Sequence, residues 1–153
     1  MKKTISYKEL QRFDNVATNY LVRNGYFTPA QPAIGDKPAV PGTFTNKENT
    51  KLVANMRNII KQAGKHFEEY GSLVDDLQLD HCSTDAKTNV ILKDEKGNRM
   101  FTVEKEKALK VAIKKLAETT VEIHTRVTDG NFDLSEDELE AFAGLLIPEQ
   151  IEA

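Results

Sequence analysis

Three sets of residues in this sequence have the types and spacing that chemistry could use. The first is Asp129-Gly130-Asn131-Phe132-Asp133-Leu134-Ser135-Glu136-Asp137-Glu138-Leu139-Glu140. Oxygen-bearing side chains fall at positions 1, 3, 5, 7, 9 and 12 of that run, the spacing of an EF-hand calcium loop. The sixth position of such a loop turns sharply and wants glycine, and here it is Leu134; the eighth, normally apolar, is Glu136. Ser135 and Glu138 also fit the capping box that starts a helix, which accounts for the region without a metal. The second set, Asp80, His81, Cys82 and Asp85, offers nitrogen and sulfur donors that only His66 and His124 could extend. No recognisable ligand spacing links them, and Cys82 lacks the glycine-rich or strand-to-helix setting of a nucleophile. The third set is the adjacent acids Glu68-Glu69 and Asp75-Asp76, which sit between apolar helix positions as a solvated face would. With no phosphate-binding glycine loop, catalytic triad order or dinucleotide fingerprint, the expectation is no catalytic residue, metal, cofactor or small-molecule substrate.

Composition points the same way. The 153 residues are 39% hydrophobic and 29% charged, with no tryptophan, which suits long helices with narrow buried stripes. The single cysteine cannot form an internal disulfide and fits a reducing compartment. No apolar run approaches the roughly 18 residues of a membrane span, and no apolar signal core follows the basic N-terminal residues. Net charge is −3, unevenly placed: residues 129–153 carry eight acids and no Lys or Arg, while the rest carry 21 basic and 16 acidic groups. The acidic overall balance and the lack of an aromatic-interleaved basic patch argue against a nucleic-acid partner. The acidic stretch reads as a solvated terminal helix, or as a surface for a basic partner.

Hydrophobic period then assigns the elements. Leu10, Phe13, Val16, Ala17, Tyr20 and Leu21 predict a first helix over 5–23, stopped at Asn24-Gly25. Residues 26–46 hold Pro29, Pro32, Pro38 and Pro41 and read as a long extended arm, with Tyr26, Phe27, Ile34, Val40 and Phe44 as candidate anchors. The stripe Leu52, Met56, Ile59, Ile60, Ala63, Phe67, Tyr70, Leu73, Val74 and Leu77 predicts a long helix over 47–81, capped by Thr45 or Asn46. Gly64 and Gly71 within it mark close packing or a bend. The period falls to two over 89–103, where two apolar runs flank Asp94-Glu95-Lys96-Gly97-Asn98; that is a β-hairpin presenting Val90, Leu92, Phe101 and Val103. A further helix follows over 104–127, weakest at Thr119-Thr120-Val121, and a short one at Leu139, Phe142, Ala143 and Leu146, stopped by Pro148. The predicted fold is mainly α in one domain: a long antiparallel helical hairpin with a β-hairpin between its helices, plus an N-terminal and a short C-terminal helix.

The order of those elements, ending in Asp133-Leu134-Ser135-Glu136-Asp137-Glu138-Leu139-Glu140-Ala141-Phe142, resembles small uncharacterised helical-hairpin proteins of tailed phages and prophages. The resemblance spans roughly residues 47–150; the Pro-rich segment departs from the short linker usual there. It implies a non-enzymatic phage structural or assembly protein, made in the host cytoplasm and a candidate for the virion. Its partners would be other phage proteins or its own copies, reached through the arm, the helical stripe or the hairpin. Two rivals are a phage-made inhibitor of a host or defence protein, acting through Glu136, Asp137, Glu138 and Glu140, and an oligomeric chaperone-like holder.

Overall fold

The computed structural model describes residues 1–44, 50–130 and 132–149. Among these residues the protein is mainly α with a small β part: four helices and two small antiparallel sheets. The chain opens with strand β1 (Lys2–Ser6), not with helix, and α1 runs over Tyr7–Arg23. Ser6 is the N-cap, its hydroxyl accepting from the Glu9 N–H, so Ile5 and Ser6 lie on the strand side of the boundary. The expected stop holds: Asn24 caps the end, and Gly25 takes the positive φ of 78° that glycine tolerates.

Strand β1 exists because a later segment supplies its partner. The expected helix over 104–127 ends early, as α3 (Val103–Ala117), and Thr120–His124 forms a strand, designated β4 below, that pairs antiparallel with β1. The β-branched Thr119-Thr120-Val121 run favours a pleated surface, and the N-terminal Lys-Thr-Ile segment supplies its partner. Ile5 and Ile123 are thereby buried, whereas Val127, expected on a buried helical stripe, is 43% exposed.

The Pro-rich segment is not a structureless arm. Strands β2 (Phe27–Thr28) and β3 (Thr43–Phe44) pair antiparallel, and Gln31↔Val40 and Ile34↔Lys37 continue the same register to a two-residue turn at Gly35-Asp36. Gly35 has φ 56°, as such turns require. The prolines interrupt the ladder because each lacks a donor, leaving isolated bridges rather than continuous strands. At the base the Phe27 and Phe44 rings stand 4.9 Å apart, and a Cβ on Gly42 would come within 2.6 Å of the Phe27 ring.

Helix α2 (Lys51–His81) is about 46 Å long at 1.5 Å per residue. Thr50 caps it by accepting from the Val53 N–H; the expected caps Thr45 and Asn46 lie outside the described residues. A Cβ on Gly64 or Gly71 would meet nothing within 4 Å, so neither glycine marks a close approach. The core forms where α1, the first half of α2, Ile5, Ile123 and the C-terminal segment meet. Leu10, Phe13, Ala17 and Leu21 face Leu52, Val53, Met56, Ile59 and Ala63, closed by Phe142, Leu145, Leu146 and Ile147. The last helix, α4 (Glu136–Phe142), stops at Phe142, before the expected Leu146; Leu145 and Leu146 enter the core from a turn around Gly144, whose φ is 79°.

Past Ala63 the pattern changes. From Gly64 to Glu118, Leu109 is the one buried residue among those described. Phe67 still packs on the core and the Tyr70 ring stands 5.0 Å from that of buried Tyr7; beyond Tyr70, α2 and α3 pack on each other as a thin projection that ends in residues 82–102.

Candidate interaction surfaces

Three regions carry the residues singled out by sequence, and the end of the projection is the most unusual. Ser83 N–H donates to the Met100 carbonyl at 2.8 Å, Met100 N–H to Leu92 at 3.0 Å, and Leu92 N–H to Ser83 at 2.9 Å. These bonds tie the end of α2 to both arms of the expected β-hairpin. Regular strands do not form there: Lys93↔Arg99 and Thr84↔Ile91 are single bridges, and Val103 begins α3 after its Thr102 cap. Two aspartate-capped turns complete the tip. Asp85 accepts from the Lys87 and Thr88 N–H groups, and Asp94 from those of Lys96 and Asn98; Gly97 has the expected positive φ, here 81°. The two N–H bonds hold the Asp85 carboxyl below the usual carboxylate range. Arg99 fastens the tip to α2 through Asp75 at 2.6 Å and Gln78 at 3.2 Å.

This well-bonded backbone leaves apolar side chains in water. Val90 is 59% exposed and Val103 70%, Leu92 is exposed, and Phe101 is half-buried. Leu79 and Met100 join them, exposed at the same end. Sequence reading missed both; the signal for Leu79 is that it falls off the α2 stripe, so no core position explains its apolarity.

The 27–44 hairpin separates its anchors by role. Tyr26, Phe27 and Phe44 are half-buried against the core, while Ile34 and Val40 stand exposed along the protruding part. Arg57 of α2 lies over the Phe44 ring at 4.5 Å and pins the base.

The acidic segment is built inward instead. The Ser135–Glu138 capping box forms as expected, and the buried Glu138 also receives Arg23 at 3.0 and 3.1 Å. Burial alone would raise its carboxyl, but the Ser135 N–H and the Arg23 guanidinium hold it below the ordinary value. Glu140 binds Arg12 at 3.0 Å, which lowers its carboxyl as well; Glu136 and Asp137 are exposed. The solvated terminal helix expected here is therefore the cap of the core, with Phe13 and Phe142 edge to face at 5.6 Å.

The metal-type donors do not converge. His81 Nδ1 contacts the Leu77 carbonyl at 2.7 Å, Cys82 Sγ the Leu79 carbonyl at 3.4 Å, and His66 Nε2 the Glu122 carbonyl at 3.2 Å. Among the described residues no group of three or more His, Cys, Asp or Glu side chains is placed to hold a metal ion. Asn131 of the calcium-type run lies outside them, and Leu134 packs on the core. No described helix is long and apolar enough to cross a membrane. Compared with known proteins, the chain matches no family model, no curated protein and no solved structure at a significant level.

Proposed function

We propose that this protein is a non-enzymatic structural or assembly component of a phage that works through protein–protein contacts made by the tip of its projection. One observation carries the reading: a tip fixed by backbone hydrogen bonds and two aspartate turns keeps Val90, Leu92, Met100 and Val103 in water. Exposed apolar side chains held in place by a hydrogen-bonded backbone are what a partner surface requires, and they add little to the isolated fold. The helical-hairpin plan that the resemblance implies fits this reading, with α2 and α3 as its two arms and the tip between them. Synthesis in the host cytoplasm followed by incorporation into the virion belongs to the same proposal. The rival competitor reading has less support, since Glu138 and Glu140, two of its four carboxylates, already hold Arg23 and Arg12.

The test is a Val90→Asp, Val103→Asp double variant, at the two most exposed of these positions. Its folding stability should stay within about 0.5 kcal/mol of wild type, as for other exposed positions. Its recovery in purified phage particles, or on partner proteins captured from infected cells, should fall sharply. A wild-type protein absent from particles and from every assembly intermediate defeats the proposal, and so does a double variant that assembles normally.

A further inference from the structure

A small cavity lies where the projection is rooted in the body. It measures about 180 Å³ and is lined by Tyr7, Lys8 and Gln11 of α1, Phe67 and Tyr70 of α2, and Ala117 at the end of α3. Three rings and a methyl group form most of its wall, with the Tyr7 and Tyr70 rings 5.0 Å apart. Tyr7 is only 4% exposed, yet its hydroxyl makes no hydrogen bond among the described residues. No side-chain oxygen among those residues is sealed from solvent without a partner, so the small part of Tyr7 that stays accessible includes the hydroxyl, at the cavity. Burial, and after it the Glu69 charge, raises this hydroxyl above the ordinary tyrosine range, so it stays protonated and serves as a donor. Lys8 supplies the charge in the lining, whereas the Glu69 carboxylate is 61% exposed and stands 3.9 Å from His66 Nδ1.

We propose that this cavity binds a single-ring aromatic carboxylate, its ring against Phe67 and Tyr70 and its oxygens facing the Tyr7 hydroxyl and the Lys8 ammonium. Size selects one ring: a cavity of about 150 Å³ takes benzene, whereas one water fills only about 30 Å³. The aromatic wall favours a flat ring, which it can meet in offset and edge contacts. An acceptor is required because a buried donor without a partner is costly, and Tyr7, Gln11 and Lys8 can all donate. A cationic ligand would leave the Tyr7 hydroxyl unpaired and would meet the Lys8 charge. The ligand is held, not turned over, and it touches α1, α2 and α3 at once. The site shares no residue with the tip, so neither reading depends on the other.

Titration of benzoate against the full chain, followed by amide NMR shifts, tests the proposal. The amides of Tyr7, Phe67, Tyr70 and Ala117 should move together and saturate with a dissociation constant on the order of 1 mM, as a ligand of this size allows. Benzylammonium, with the same ring and the opposite charge, should bind about tenfold more weakly or worse. Tyr7→Phe keeps the ring contact with Tyr70 and should weaken benzoate about tenfold, the worth of a hydrogen bond to a charged group. Ala117→Leu puts a side chain into the empty space; it should block benzoate while thermal stability stays at or above that of wild type. No saturable shift at these amides up to the solubility limit of benzoate overturns the proposal and leaves the cavity to a side chain of a partner protein. So does benzylammonium binding as tightly as benzoate, a Tyr7→Phe protein with undiminished affinity, or a folded Ala117→Leu protein that binds like wild type.

Discussion

The two halves of α2 obey one sequence rule and meet two fates. From Leu52 to Ala63 its stripe is buried against α1 and the C-terminal turn; from Phe67 to Leu77 the same stripe is only half-covered or exposed. Both halves keep the spacing of three and four that makes an amphipathic helix. The difference lies in what stands opposite. The first half faces α1, with Phe142, Leu145 and Leu146 completing the core, while the second touches the body through Phe67 and Tyr70 and beyond them leans on α3, whose outer surface is lysine-rich. Period determines which face of a helix is apolar, and long-range neighbours determine whether that face becomes core or display. The body holds the fold, and the projection is free to present side chains.

The largest expected effect lies in the body. Phe142→Ala removes a fully buried ring that touches Phe13 and Tyr20, and should cost about 3–5 kcal/mol in chemical denaturation. A loss below 1 kcal/mol would erase the distinction between body and projection. Glu138→Ala removes the carboxylate half of the α4 capping box and the Arg23 partner, while the Ser135 hydroxyl keeps the backbone N–H of residue 138, for a cost of about 1–2 kcal/mol. Its pH dependence has a definite sign. The folded carboxyl titrates below its unfolded value, so its contribution is complete above the ordinary glutamate range and fades as pH falls through the folded value. The Glu138→Ala variant should therefore approach wild type in acid, which a stability titration will reveal. In the projection the sign reverses for Gly71→Ala, where open space awaits the methyl group; a gain of up to about 1 kcal/mol in local helix stability is expected by hydrogen exchange. Smallest of all, Leu79→Ala and Val103→Ala should shift thermal stability by about 0.5 kcal/mol or less, since both side chains already stand in water.

Sequence gave local grammar well and pairing poorly. The stops at Asn24-Gly25 and the Ser135–Glu138 start are decided within a turn of helix, and both formed as expected. Strand β1 was hidden because Lys2–Ser6 has no identity as a strand until Thr120–His124 lies beside it, more than a hundred residues away. The 27–44 hairpin had a local signal, Gly35-Asp36 between pairable segments, but four prolines concealed it. Among the candidate contact residues, Val90, Leu92, Val103, Ile34 and Val40 stand exposed. Glu138 is buried, and acidic composition cannot announce that Arg23 waits across the fold.

Native-state hydrogen exchange, followed residue by residue, tests the division most directly. Amides of α1 and of α2 before Gly64 should exchange only through global unfolding, while those of α2 beyond Gly71 and of α3 should open first, at a distinctly lower free energy. Equal protection along the whole of α2 would contradict the account, because the projection would then share the stability of the core.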